Sequence, residues 1–517
     1  MQTAQRRDTL MARGRARART LGRPVLVSVA ERVAATDPLA ALEHAVRAAQ
    51  LDVDLAIHTK ARVYWTRPAD HFAIAALGAA VSFEPSGADR FDQADRAWTT
   101  LIADAVIDDA SDGMPAVGPT SLGGFRFDPA TPQAAIWRSF PDSRLVIPRI
   151  QLTVSRDSSW LTTNVIVACD GSMDVEPAVL HRLRDAFVGV HDCEEASGSA
   201  PGHDDDRAAA HAMDAATPRR PAVECRDVRS ANSWRSMIRK AVSTIRGGEL
   251  EKVVLAREIE MIADGSFDAH ATLRELQAAH ATSYVFAFWF GDSVFLGATP
   301  ERLVRVDGNT VQASSLAGSA RRGDTPSDDA ALARQLMHSV KDRSEHEIVR
   351  LALCAGLAQM CDDVAAPDAP VLLTLPHVHH LHTTVRARLR AGHTILQLIG
   401  RLHPTPAVGG APRELALAFI REHERMDRGW YAAPIGWMQS HHGEFVVALC
   451  SAVVTGSHAA LFAGCGVVAD SDPDQEYAES LLKLRPMQAA LAAAVLSAAP
   501  TRAQRARDKR ACGEPAA

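Results

Sequence analysis

No stretch of this 517-residue chain approaches the ~20 uninterrupted apolar residues that a membrane-spanning helix needs. Cysteine is sparse: Cys169, Cys193, Cys225, Cys354, Cys361, Cys450, Cys465 and Cys512 are scattered with no CxxC pair among them. That scatter disfavours a structural zinc site or a disulfide framework and suits a reducing compartment. The first residues also lack the ~7–15-residue apolar core and small-residue cleavage site of a secretory signal, so a cytoplasmic location is expected. No repeat of fixed period occurs. There is no GK[ST] phosphate loop, no GxGxxG fingerprint and no GxSxG elbow, which removes three common enzyme signatures. What is present, 47% hydrophobic and 23% charged residues, is ample for a large folded core.

Charge is unevenly spread. Residues 1–23 carry seven arginines against Asp8, and the last eighteen residues are also basic, so the net −6 conceals a strongly acidic body. A nucleic-acid-binding face would need the opposite sign there, and no nucleic-acid or membrane partner is expected. The basic ends, 1–23 and 498–517, read as frayed, disordered tails. Between 193 and 222 small, acidic and proline residues replace apolar periodicity, as in an exposed low-complexity loop. That leaves 24–192 and 223–497 as the folded parts of one large unit, expected to be a monomer. Strands are expected at Ala61–Trp65, Phe72–Ala80, Leu145–Ser155, Glu251–Ile262, Ser283–Phe290 and Ala459–Val468, with a doubly buried strand at Phe445–Thr455. Helical spacing covers Asp328–Met360, Pro412–Glu424 and Asp474–Ser497. The mixture implies an α+β fold of stacked antiparallel sheets flanked by helices.

Several constellations could carry chemistry. On the last helix Glu476, Glu479 and Lys483 fall at i, i+3 and i+7, on one face. Asp342 and Glu345 do the same on another. Either pair alone fits a solvated salt-bridging face equally well; two such helices offer the hard oxygen donors that magnesium takes, with waters and a substrate anion completing the shell. Gly-bearing turns at Phe295–Glu301, Leu316–Ser319 and Ala463–Gly466 could bring backbone amides close to an anion, or simply connect strands. The histidines of His377–His382 alternate faces on a strand, so they cannot converge on one metal, and one functional histidine is the simpler reading.

Taken in order, the segments EKVVLARE, FLGATPERL, SLAGSARRG, SVKDRSEHEIV, HHLHTTVRARL, LHPTPAVGGAPRE, RGWYAAPIG and GCGVVADSDPDQEYAESLLKL resemble the chorismate-utilising enzyme family, and within it the isochorismate synthases. The likeness continues more weakly through YWTRPADHFAIAALGAA, GGFRFDP and LVIPRIQL. The resemblance implies a single α+β catalytic domain acting on chorismate with Mg²⁺. It assigns Lys252 as the base that activates water and Glu301 as the acid that protonates the departing C4 hydroxyl. Glu345 and Glu479 become magnesium ligands, with Glu476 and Asp342 acting through water. Lys483 would hold a substrate carboxylate, His380 and Thr405 would line the ring pocket, and Gly318, Gly464 and Gly466 would make close backbone approaches.

One position separates reactions within the family. Aminodeoxychorismate synthases place a nucleophilic lysine in a PIKGT motif, where this chain has Ala317. With no side-chain nucleophile and no glutamine amidotransferase segment, water remains, and the implied product is isochorismate, for menaquinone or siderophore synthesis. Salicylate synthases share the machinery and continue to salicylate, so that activity stays open. Two departures stand out: Ala433 replaces the glycine of the family's AGP turn, and Cys450 stands where an arginine grips a substrate carboxylate. The second leaves open an impaired, chorismate-binding paralogue.

Overall fold

The computed structural model describes residues 2–189 and 222–496, apart from 53–54, 57–59, 109, 111–112 and 157. The expected loop (save residue 222) and the C-terminal tail lie outside those residues. No described helix is long and apolar enough to cross a membrane.

The strand Tyr284–Phe290 is buried along its whole length. Alternation sends Phe286, Phe288 and Phe290 into one hydrophobic core and Val285, Ala287 and Trp289 into another. It sits in the middle of a long antiparallel ladder. On one side follow Ala61–Arg67, Phe72–Phe83, Ser143–Ser155, Ser158–Val167 and Val25–Val33. On the other lie Ser293–Thr299, Ser451–Thr455, His458–Val467, Lys252–Ala263 and Val223–Asp227. A second antiparallel ladder runs through Ser121–Phe125, Pro434–Met438, His442–Val447, Arg302–Asp307, Thr310–Arg321 and Val378–Leu389. Ser143–Ser155 pairs with Ser121–Phe125 as well, joining the two. Aromatic side chains from both fill the shared core, as with Phe125 against Phe445 and Trp137 against Phe295.

Two neighbouring strands pass from one ladder to the other at the same level, and this seam shapes the molecule. The sequence pattern FVVALCSAVVT suggests one strand, but the structure breaks it into His442–Val447 and Ser451–Thr455, which belong to different ladders. Beside it, Ser293–Thr299 ends and Arg302–Asp307 begins in the other ladder. The two crossings are clamped together: Val447 donates its N–H to the Glu301 carbonyl at 3.0 Å, Thr299 Oγ1 donates to the Val447 carbonyl at 2.7 Å, and Ala298 N–H donates to the Cys450 carbonyl at 3.1 Å. Glu301 and Cys450 therefore occupy the seam itself.

The expected helix over Asp328–Met360 is two helices, Pro326–His338 and Val340–Leu357. Ser339 ends the first and caps the second, its hydroxyl accepting from Asp342 N–H at 3.2 Å. A serine that can satisfy free N–H groups makes a new helix start inexpensive, and apolar spacing carried across the break hides it.

The basic N-terminus is not a frayed tail. Gln2–Leu21 is a helix lying on Val25–Val33 and its neighbours. A Cβ on Gly14 would fall 2.3 Å from Val27 Cγ2, so the helix approaches closely. Its arginines have partners: Arg17 donates to the carbonyls of Ala103 and Asp104 at the C-terminal end of the Arg90–Asp104 helix, and Arg6 pairs with Asp108 at 3.0 Å. Cations at a helix C-terminus offset its exposed carbonyls, which a charge count along the sequence does not reveal.

Candidate active site

A cavity of about 1310 Å³, counting its open mouth, lies at the seam and gathers most of the residues singled out by sequence. Glu301, Ala317, Gly318, His380 and Cys450 line it, as do Gly464, Gly466, Lys483 and the carboxylates Asp342, Glu345, Glu476 and Glu479. The His458–Val467 strand forms one wall, antiparallel to Lys252–Ala263, with Gly464 opposite Ala256 and Gly466 opposite Val254. The helix Pro473–Ala493 packs over that strand and brings Glu479 and Lys483 above its glycines. Lys483 Nζ donates to the Gly464 carbonyl at 3.1 Å and pairs with Glu479 at 2.7 Å.

Lys252 is fully buried, its Nζ 2.9 Å from Glu345 Oε1, close for an ion pair but off the hydrogen-bonding direction. Room for this pair depends on Gly466, where a Cβ would fall 2.3 Å from Glu345 Oε1 and 3.1 Å from Lys252 Cε. Gly318 serves a similar purpose on the opposite wall. It is the extra residue where the Thr310–Arg321 register shifts, it has φ +78°, and a Cβ there would sit 3.0 Å from Asp342 Cβ. The bulge lets the Val340–Leu357 helix approach and present Asp342 and Glu345.

The ionisation states follow from burial and charge. Burial pushes the Glu301 carboxyl up to about 8, against the pull of Lys252 and Lys483, so it is protonated at neutral pH. Burial disfavours ionised Glu345 too, but Lys252 beside it, together with Lys483 and Lys341, outweighs burial and holds it below the usual carboxylate range. Burial and Glu479 raise Glu476, although Lys341 lies 3.2 Å away. Burial would lower Lys483, but Glu479 keeps its ammonium above the ordinary lysine value. Burial, reinforced by Lys483, drives His380 down to about 3; this neutral ring shares a 3.0 Å hydrogen bond between Nδ1 and Ser319 Oγ. His379 turns to the other face and bonds Asp329 and Thr374, so the histidine run does not converge.

The four carboxylates on two helices suit a hard divalent cation. As placed, each of Glu345, Glu476 and Glu479 is paired with a lysine. Among the described residues no three His, Cys, Asp or Glu side chains already form a metal cage.

Thr405 falls elsewhere. It is buried, lines a different cavity, and leaves Ala407 and Val408, two and three residues on, to form the wall of this one. Cys450 does line the cavity, at φ +44°, and burial raises its thiol, which therefore offers no charge to an anion. At the other departure the left-handed position is Ala432, φ +59°, so Ala433 is accommodated without backbone strain. Sequence reasoning missed Lys341, visible in hindsight from its i, i+4 spacing to Glu345. It also missed Tyr431, a buried ring stacked 5.3 Å from Phe462 whose hydroxyl lies 3.2 Å from where a Gly464 Cβ would stand.

The fold and this site define a chorismate-binding enzyme. The chain belongs to that family, whose pattern matches residues 13–492. Among characterised relatives, isochorismate synthase MenF of Bacillus subtilis is 35% identical over 92% of this chain and 95% of its own length. The salicylate biosynthesis isochorismate synthase of Pseudomonas aeruginosa is 37% identical over 92% of each. The solved structure of MenF, the menaquinone-specific isochorismate synthase of Escherichia coli, superposes with a TM-score of 0.68 at 24% identity, covering 94% of this chain and all of that one. At that identity the likeness is one of fold.

Proposed function

We propose that the chain is an isochorismate synthase, adding water at C2 of chorismate while the C4 hydroxyl departs. The observation that carries this is the protonated, buried Glu301 facing the same cavity as Glu345, the carboxylate paired with Lys252, with the methyl of Ala317 where an internal nucleophile would stand. Glu301 holds a proton ready for the leaving hydroxyl, which as hydroxide would be a poor leaving group. Lys252, beside Glu345, is the base that takes the proton from the attacking water. Lys483 and the amides around Gly464 and Gly466 hold the dianionic substrate. Glu345 and Glu479, with Glu476 and Asp342 through water, would hold magnesium. Bound there, the ion would supply positive charge to neutralise a substrate carboxylate. Water as nucleophile requires no ammonia-supplying subunit.

The test is to incubate the purified protein with chorismate and Mg²⁺ and separate the products by chromatography. Isochorismate, formed reversibly and without ammonium, is expected. Salicylate with pyruvate as the main product would reassign it to the salicylate synthases; anthranilate formed with ammonium would overturn the reading. Cys450 supports one second reading, a chorismate-binding protein of much reduced turnover, because the guanidinium expected at the seam is replaced by a neutral thiol.

A further inference from the structure

A second cavity, about 800 Å³ counting its mouth, opens between the helices Val340–Leu357, Ile395–Leu402 and Arg413–Glu424. Its polar lining is almost all donor. Arg401 and Arg413 both face it, and neither has an ion-pair partner among the described residues. Arg413 instead spends one nitrogen on the carbonyls of Arg401 and Leu402, at 2.6 and 3.1 Å. The Arg413–Glu424 helix starts at Pro412 with no side-chain cap, leaving its first N–H groups without a capping acceptor. Thr405, only 3% exposed, lines the same cavity, and its Oγ1 has no hydrogen-bond partner among the described residues. Among the described residues the one carboxylate in the lining, Glu414, is exposed.

Two guanidiniums without an ion-pair partner among the described residues, an uncapped helix N-terminus and an orphaned buried hydroxyl line one cavity, where an acceptor-rich anion would satisfy all of them. We propose that this cavity is an oxyanion site that takes a phosphate group, either inorganic phosphate or the phosphate of a small metabolite. Burial and the neighbouring Arg401 disfavour the charged Arg413, Glu414 offsetting only part of this, and a bound anion would relieve the remainder. The site also abuts the catalytic cavity. Thr405 and Pro406 face the phosphate while Ala407 and Val408 face the substrate, and the Val408 carbonyl accepts from Arg428 Nη1 at 2.9 Å. The Ala411 carbonyl then accepts from Glu251 N–H at 2.9 Å, one residue before Lys252.

The probe is inorganic phosphate, titrated into the full-length protein by calorimetry against sodium chloride of equal ionic strength. Saturable binding is expected, weakened about tenfold or more in R401A/R413A and several-fold in T405V, since hydrogen bonds to charged groups are the strong ones. E414Q should bind phosphate more tightly, which keeps the test open if the double variant does not fold. A metabolite source would show as a phosphomonoester competing for the same sites. No saturable binding, superimposable wild-type and R401A/R413A titrations, or loss of binding in K483M, which would put the phosphate in the substrate cavity, would each overturn the proposal.

Discussion

At the level of single residues, Glu301 carries both a chemical role and a stability cost. Its folded value of about 8 lies above the ordinary 4.5, so the unfolded chain releases this proton first. The carboxyl therefore opposes folding progressively as pH rises from 4.5 to 8, by up to about 3 kcal/mol at pH 7, and below 4.5 it costs nothing. Glu301→Gln should then raise Tm at pH 7 but not at pH 4, while lowering kcat by ~10²–10⁴-fold. Thermal melts at the two pH values together with turnover check both halves, and an equal Tm shift at both would discount buried ionisation. For the wild type, activity should fall on the alkaline side near pH 8. Cys450 is the complementary case. Cys450→Arg places a guanidinium in the seam near Lys483, where a substrate carboxylate can take a two-pronged contact, and kcat/KM should rise by tens of fold at ~2 kcal/mol. A drop in Tm without gain in turnover would mean that no partner remains for a buried arginine, and the impaired-paralogue reading would stand.

Among the elements, the site is built by helices approaching strands more closely than a side chain at the contact would allow. Two glycines make that possible for different reasons, so their substitution should separate stability from chemistry. Gly318→Ala forces a left-handed residue and crowds Asp342 Cβ at 3.0 Å; a loss of ~1–2 kcal/mol from backbone strain is expected in urea unfolding. Gly466 has no such backbone demand, but its Cβ would strike Glu345 Oε1. Gly466→Ala should displace the Lys252–Glu345 pair and reduce kcat with little change in unfolding midpoint. If both variants lose stability alike, the distinction fails. Much of this was legible in the sequence. Lys252–Ala263, Tyr284–Phe290 and His458–Val467 follow from alternation and apolar runs, and the ordered motifs bring eleven of the thirteen named site residues, with Asp342, to one cavity, Lys252 lying buried behind Glu345. What was not legible depends on tertiary pairing. Nothing local in FVVALCSAVVT shows a strand changing ladders, because both halves are buried, and nothing in HPTPAV shows which of its faces meets the cavity, so Thr405 was misplaced by two residues.

For the whole molecule, the hydrogen-bond pattern ties residues 24–192 and 223–497 together as parts of one unit. The central strand Tyr284–Phe290 pairs along six residues with Ala61–Arg67, from Val285 opposite Thr66 to Phe290 opposite Ala61. Pro434–Met438 likewise pairs with Ser121–Phe125. The catalytic seam thus has a strand from the first part on each side, and Trp137 stacks on Phe462 at 5.4 Å inside the shared core. A fragment of residues 223–496 would expose two long apolar edges, a template for aggregation, and lose the core aromatics Trp65, Phe125, Trp137 and Phe140 that pack against its own. It is expected to be insoluble or to lack a cooperative unfolding transition by circular dichroism. The full chain should unfold in one step with coincident fluorescence and circular dichroism curves. Co-expressing 1–192 with 223–517 should restore a soluble complex, since the break falls where the chain carries no apolar pattern. A soluble, cooperatively folded 223–496 fragment would show instead that the second part is an independent domain to which the first merely adds strands.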